Sequence, residues 1–142
     1  MCEGTIMKRN RQRYAWAFGV AMALATTSTA HGAENEMLSA SEILELVSGN
    51  TLSGVFGAEN TRYAQRNHRS GITVVNIEGL PARLIPWFVK EPASYCEDWS
   101  DDGVLCYQIG RDTSSGTYFF QRADGSTSEL TVQEGAQPFT FK

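Results

Sequence analysis

Histidine, cysteine and proline are scarce in this 142-residue chain, which has two, three and four of them. Zinc needs three or four His, Cys or carboxylate ligands, and triad-type catalysis needs a base beside its nucleophile. The motifs G-x-S-x-G, H-E-x-x-H, G-x-G-x-x-G and the Walker loop do not occur either. The sequence therefore predicts no metal, no cofactor and no enzymatic activity, with a hydrolytic enzyme as the least favoured alternative.

A hydrophobic run long enough to cross a bilayer is also missing, because the apolar run Tyr14–Ala25 has only twelve residues and a spanning helix needs about 20. Basic residues precede this run and small residues follow it, which is typical of a secretory signal peptide. The basic residues are Lys8, Arg9, Arg11 and Arg13. We therefore expect a periplasmic or secreted protein, with an uncleaved membrane anchor as the alternative.

The predicted leader covers residues 1–32, with cleavage near Ala30 or Gly32 and a start at Met1 or Met7. Basic side chains are scarce after it. The leader holds four of the twelve Lys and Arg residues but only one of the sixteen Asp and Glu, so residues 33–142 carry a net charge of −7. This excess argues against nucleic acids and anionic membranes as partners, since both require clustered positive charge.

One helix is predicted near the start of the mature chain, in the segment LSASEILELVSGN. Ser39 and Glu42 have the spacing of a capping box, and Leu38 and Ile43 that of a hydrophobic staple. Gly49 is placed to end the helix in a left-handed conformation. The predicted apolar face consists of Ala40, Ile43, Leu44 and Val47. So short a helix must dock on another element, as a lid or a plug.

The rest of the chain alternates between short β-rich segments and turn sequences such as NHRSG, SDDG and ADGS. The predicted strands are 51–57, 61–66, 72–78, 83–90, 94–99, 104–111, 117–122 and 127–134. This pattern predicts a single, mainly β domain over residues 33–142, an antiparallel meander or small curled barrel of about 7–8 strands with one short N-terminal helix. Pro86 makes its strand a candidate for an edge or a bulge. We expect most aromatic residues in the core, with the lining of a ligand cavity as the alternative.

Cys96 and Cys106 flank the SDDG turn. If residues 99–103 form the loop, the two cysteines lie opposite each other on adjacent antiparallel strands, within reach of a disulfide. An exported protein meets an oxidising compartment, so we predict a structural disulfide. A redox-active pair is the alternative, although it would favour C-x-x-C spacing.

Three polar patterns are candidates for binding. Arg62, Arg66 and His68 have the same parity and would share one face, either as an anion or partner site or as a solvated strand face. The carboxylates around the SDDG turn could bind calcium, but their spacing is that of a turn rather than a calcium loop; they are Glu97, Asp98, Asp101 and Asp102. The segment Ser114–Tyr118, SSGTY, resembles the Ser-Gly-x-Tyr segment of small periplasmic inhibitors of c-type lysozyme.

Several motifs together resemble a family of small exported bacterial proteins that is grouped only as a domain of unknown function. They are LSASEILELVSGNT, Trp87, YCEDW, LCYQI and YFFQRADG, and they extend from Leu38 to about Gly125. The family usually has Gly two residues before the Trp, where this chain has Ile85-Pro86. The resemblance implies an exported β-rich domain with a disulfide and carries over no catalytic residue.

The expected function is non-catalytic binding. A closed barrel with a lined cavity would bind a small apolar ligand, whereas an exposed loop or edge would bind an envelope protein. Inhibition of an envelope-directed hydrolase such as lysozyme is a specific form of the second alternative.

Overall fold

The structure is a computed structural model and describes residues 34–141; the predicted leader, residues 1–32, lies outside the described residues. Within this range the chain forms one α-helix and nine strands. In chain order these are β1 (Asn35–Met37), α1 (Ala40–Val47), β2 (Thr51–Phe56), β3 (Thr61–Asn67), β4 (Ile72–Ile77), β5 (Arg83–Lys90), β6 (Ser94–Asp98), β7 (Val104–Asp112), β8 (Tyr118–Gln121) and β9 (Thr127–Gln133).

Strands β2 to β9 form a closed, eight-stranded antiparallel barrel. Each pairs with its successor along the chain, and β9 pairs with β2 to close the ring. The predicted meander or small barrel with one helix is thereby confirmed, and its strand bounds lie within one residue of those observed. Strand β1 was not predicted. It lies outside the ring and pairs with the end of β7, from Asn35↔Asp112 to Met37↔Gly110. Its three residues are all exposed, so they lack the alternation of buried and exposed side chains by which a strand is recognised in a sequence.

Pro86 does not lie on an edge, because β5 has a partner on each side. The β4 ladder ends at the pair Ile72↔Pro86, and the β6 ladder begins at Trp87↔Glu97. The proline, which has no N–H to donate, thus lies where β5 passes from one partner to the other. Of the two predicted alternatives, the edge was wrong, since a closed ring has no free edge for the proline to occupy. The bulge stays a prediction.

Helix α1 packs against β5 and β6 at one end of the barrel. Its first turn contains the predicted capping box: the Glu42 N–H donates to Ser39 Oγ at 3.4 Å, and the Ser39 N–H donates to Glu42 Oε2 at 2.8 Å. Gly49 has φ of +81° and donates its N–H to the Asn67 carbonyl at the end of β3. Just before the helix, the Leu38 N–H donates to the Ile109 carbonyl of β7 at 2.9 Å. The helix is therefore tied to the strands at both ends, as a plug on the barrel.

The buried face of α1 is narrower than predicted. Ala40, Ile43 and Val47 are buried, whereas Leu44 is 50% exposed. These three buried positions are spaced three and four residues apart and form a single stripe. Leu44 was wrongly assigned to the buried face because an eight-residue helix lying on two strands buries only this stripe.

The half of the barrel next to α1 is filled with apolar side chains. Ile43 and Val47 pack into a cluster with side chains from the strands, of which Leu52, Tyr95, Ile109 and Leu130 are almost completely buried. Trp87 belongs to the same cluster and donates its indole N–H to the His68 carbonyl at 3.0 Å. This half of the barrel is a conventional core. The aromatic residues buried in it are Tyr63, Trp87, Tyr95 and Phe120, and Tyr107 and Tyr118 pack against it.

Cys96 and Cys106 are directly opposite each other on β6 and β7. Their sulfur atoms are 2.10 Å apart and their Cα atoms 4.1 Å apart, as expected for a disulfide. Trp87 and Glu97 face the interior, so the alternation along β6 places Cys96 on the outside of the barrel. The structure confirms the predicted pairing, and such a bond is compatible with an oxidising compartment.

Reduction of this disulfide is expected to lower the free energy of unfolding by about 2–3 kcal/mol, because it opens a short covalent loop that restricts the unfolded chain. Urea unfolding with and without reductant measures the change. The control is the double variant C96A/C106A, which should unfold at the same urea concentration in both conditions. If the urea midpoint of the wild-type chain were the same with and without reductant, the disulfide would not be stabilising.

Candidate ligand-binding cavity

The end of the barrel opposite α1 is hollow. A cavity of about 400 Å³ opens there between inward-facing side chains of the strands and the turn that joins β6 to β7. Its lining consists of Phe56, Tyr63, Gln65, Val75, Ile77, Arg83, Glu97, Trp99, Asp102, Leu105, Tyr107, Phe120, Arg122 and Ser128. Since side chains alternate in and out along each strand, a barrel whose inward positions are filled at one end only keeps a pocket at the other.

A buried carboxylate lies at the floor of this cavity. Glu97 is 4% exposed, and its Oε1 accepts hydrogen bonds from the Gln65 side chain at 2.8 Å and the Tyr95 hydroxyl at 2.9 Å. Its Oε2 accepts one from the Trp99 indole at 3.0 Å. Three neutral donors therefore converge on one acceptor group.

The same network holds its members to each other. Gln65 also donates to the Tyr95 hydroxyl at 2.6 Å, and Asn67 donates to that hydroxyl at 3.2 Å. Gln65 and Asn67 are two apart on β3, as are Tyr95 and Glu97 on β6, so each pair points into the barrel. The network links β3 to β6 across the interior and separates the filled half from the cavity.

This site was not predicted, because Glu97 adjoins the acidic residues of the SDDG turn in the sequence and was grouped with them. The alternation along β6 could have separated them, since Glu97 has the parity of Tyr95 and Trp99. Asp98 instead accepts from the Ser100 N–H at 2.9 Å, in the turn. Residues 34–141 contain no group of three His, Cys, Asp or Glu side chains close enough together to bind a metal ion.

Burial raises the pKa of Glu97 above its ordinary value, and the hydrogen bonds from Gln65, Tyr95 and Trp99 oppose the rise. Burial, followed by the charge of Glu97, also raises the pKa of Tyr63 and of Tyr95. The hydroxyl of Tyr63 is buried without a hydrogen-bond partner among the described residues. The floor of the site thus combines a buried carboxylate with tyrosine hydroxyls whose ionisation burial disfavours.

The raised pKa of Glu97 predicts a specific pH dependence of stability. Between the pKa of an unfolded glutamate, about 4.3, and the higher folded value, the folded chain binds more protons. The contribution of Glu97 to the free energy of unfolding therefore falls as pH rises through this window and is constant above it.

Four exposed carboxyls have lowered pKa values and therefore the opposite effect on stability; they are Glu42, Glu78, Asp112 and Asp124. Their effect is the same in wild type and in E97Q, so the difference between the two proteins isolates the contribution of Glu97. Chemical unfolding from about pH 4 to about pH 8 should show wild type losing stability relative to E97Q as pH rises. A gain in the stability of wild type relative to E97Q as pH rises would contradict the raised pKa.

Charged side chains surround the mouth of the cavity. Arg83 lies 3.6 Å from the Asp102 carboxylate and 5.0 Å above the Trp99 ring. Arg122 belongs to the lining on another side. The cavity therefore combines an apolar, largely aromatic wall with a carboxylate floor and a rim of mixed charge.

The predicted anion or partner residues lie on the outside of the barrel. Arg62 donates to Glu78 Oε2 at 3.0 Å, and the Arg66 guanidinium lies 4.1 Å over the Phe139 ring. His68 is exposed in the turn after β3. The structure places Arg62 and Arg66 on one face, in contact with other side chains, and a role for these three residues stays a prediction.

The lysozyme-inhibitor-like segment Ser114–Tyr118 forms the connection between β7 and β8, at the helix end of the barrel. Asp112 Oδ1 accepts from the N–H groups of Ser114 at 2.8 Å and Ser115 at 3.2 Å. The segment is thus an exposed, hydrogen-bonded turn away from the cavity.

Comparison of the chain with protein-family models, with curated proteins and with solved structures gives no significant match. The resemblance to a family of exported bacterial proteins therefore stays a prediction. Among residues 34–141, no helix has the length and apolarity that crossing a membrane requires.

Proposed function

We propose that this protein is an exported, non-catalytic binding protein that takes up a small ligand in the open half of its barrel. The observation that carries the proposal is the cavity itself, about 400 Å³ within a barrel whose other half is closely filled. Binding sites for small molecules are concave, mostly apolar and equipped with a few polar groups that orient the ligand. The wall and floor of this cavity have that composition.

The packing of the barrel supports a binding role because interiors that serve stability alone are closely packed. The lining includes five aromatic side chains, Phe56, Tyr63, Trp99, Tyr107 and Phe120. Tyr63 and Phe120 are already buried. Phe56, Trp99 and Tyr107 are only partly covered and could bury more apolar surface by closing over one another. An open cavity forgoes that stabilisation, which is expected where a ligand supplies the missing contacts.

Export is supported by the predicted leader and by the disulfide. The leader directs a chain out of the cytosol, and the pairing of Cys96 with Cys106 suits an oxidising compartment. We therefore place the binding function in the periplasm or outside the cell.

Binding of an envelope protein is the second candidate function. Apolar side chains project outward from β5 and β7, with Leu84 71%, Val104 53% and Phe88 42% exposed. Exposed apolar side chains that lie together favour contact with another protein. Inhibition of a hydrolase such as lysozyme belongs to this candidate, with the Ser114–Tyr118 turn as a further exposed element.

A matched pair of tryptophan substitutions tests the ligand proposal. Leu105 lines the cavity, whereas Leu84 points outward, so L105W fills the pocket and L84W adds the same indole outside. Fluorescence titration with the neutral probe N-phenyl-1-naphthylamine should show saturable binding to wild type and L84W. Its affinity for L105W should fall by about tenfold or more, as expected when a buried site is blocked.

Equal binding to all three proteins would place the probe on the outer surface and contradict the proposal. Loss of binding in L84W alone would instead favour the exposed apolar patch and, with it, the second candidate function.

A further inference from the structure

We infer that the cavity selects small organic cations, ligands with a protonated amine attached to an apolar or aromatic group, with Glu97 as their counter-ion. This inference rests on the proposed function and adds the chemical class of the ligand.

The charge environment of Glu97 is the first argument. Its hydrogen-bond donors are the side chains of Gln65, Tyr95 and Trp99, all of them neutral. The ion pairs among residues 34–141 join Arg62 to Glu78, Arg83 to Asp102 and Arg111 to Glu36, so none includes Glu97. A buried carboxylate is normally paired with a cation, and here the cation is left for the ligand to supply.

The hydrogen-bonding capacity of the carboxylate is the second argument. Each carboxylate oxygen can accept about two hydrogen bonds. Oε1 receives two, from Gln65 and Tyr95, whereas Oε2 receives one, from Trp99. Glu97 belongs to the cavity lining, so a ligand ammonium group can donate to the remaining position on Oε2.

The wall of the cavity is the third argument. Trp99, Tyr63 and Tyr107 line the pocket around Glu97. Faces of aromatic rings attract cations through their quadrupole, and the attraction is stronger where water is excluded. Their apolar surface also accommodates the hydrocarbon part of an amine, so wall and floor favour the same ligand.

The arginines at the mouth do not occupy this position. Arg83 is paired with Asp102 and lies over the outer part of the site, on the Trp99 ring. Arg122 lines the cavity without an ion pair to Glu97. An anionic ligand could approach these two groups, but its charge would face the Glu97 carboxylate deeper in the pocket. Anion binding is therefore the competing outcome of the experiment.

Three ligands of similar shape and different charge test the inference: phenethylammonium, phenethyl alcohol and 3-phenylpropionate. Calorimetric titration of wild type near pH 7 should give an affinity for the amine that exceeds that for the alcohol by about tenfold or more, with the carboxylate weakest. In E97Q, which keeps the size of the side chain, the affinity for the amine should fall by about tenfold. L84W, whose substitution lies outside the cavity, should keep the affinity for the amine within about twofold of wild type.

The outcomes separate the two proposals. Equal affinity for the amine and the alcohol, or a preference for the carboxylate, would overturn the inferred selectivity for cations. The proposed binding cavity would still stand if wild type binds the probe and L105W does not. Failure of wild type to bind the probe and all three ligands would overturn both. If E97Q does not fold, the order of the three affinities in wild type decides the question.

Discussion

Replacing Tyr95 by Phe is expected to lower the free energy of unfolding by about 2–4 kcal/mol, although it removes a single oxygen atom. Tyr95 is completely buried, and its hydroxyl accepts from Gln65 and Asn67 while it donates to Glu97. Without that oxygen, two buried amides and a buried carboxylate each lose a partner. Loss of a partner in such a network costs the desolvation of the groups left behind.

Tyr107 provides the matched control, since it is the cross-strand neighbour of Tyr95 on β7 and lines the cavity. Y107F should change the free energy of unfolding by less than about 1 kcal/mol, because Tyr107 is only partly buried and lies outside the network of Gln65, Tyr95 and Glu97. Urea unfolding of both variants measures the contrast. Equal effects of Y95F and Y107F would show that the polar network does not hold the interior together.

Truncation of Ile43 to Ala should lower the free energy of unfolding by about 2–5 kcal/mol, the usual range for a large apolar side chain removed from a core. Ile43 is completely buried where α1 closes the barrel and belongs to the cluster that includes Trp87 and Tyr95. The substitution leaves a void between the helix and the strands. Its effect on unfolding therefore reports how firmly the helix is docked.

The adjacent Leu44 makes a control on the same helix, because it is 50% exposed. L44A should lower the free energy of unfolding by less than about 1 kcal/mol. Thermal unfolding of I43A and L44A in the absence of ligand measures the difference. A large loss in L44A with little loss in I43A would mean that the helix docks on a different face.

Much of the fold could be predicted because the signals are local. Turn sequences such as SDDG and ADGS delimit the strands, and Ser39 with Glu42 marks the start of the helix through its own backbone bonds. The spacing of Cys96 and Cys106 around a short loop fixed their register. Each of these features depends on residues within about a dozen positions of each other.

Features that depend on distant residues were not predictable in the same way. Closure of the ring requires β2 and β9 to pair across most of the chain, and no local pattern distinguishes this from a curled sheet. The network of Gln65, Tyr95 and Glu97 joins strands that are separated by two others in the ring. The parity of Glu97 indicates that it points inward, but only the closed barrel shows what it meets there.

The two halves of the barrel have different physical roles. Near α1, Ile43, Val47 and their neighbours supply apolar burial and the stability that goes with it. At the other end, Trp99 and Glu97 line a cavity that the chain itself leaves open. The polar network between them belongs to both, since it supports the core and forms the floor of the site.

NMR titration of the ¹⁵N-labelled protein with phenethylammonium is the most direct test of ligand binding beside Glu97, because it reports on the indole N–H signals. Trp99 donates its indole N–H to Glu97 in the cavity, and Trp87 donates its own to the His68 carbonyl at the filled end. We expect a large, saturable shift of the Trp99 signal and a clearly smaller shift of the Trp87 signal. Trp87 is the cross-strand neighbour of Glu97, but its indole N–H points to the His68 carbonyl and not into the cavity. Equal shifts of both signals, or an unmoved Trp99 signal at saturation, would contradict ligand binding beside Glu97.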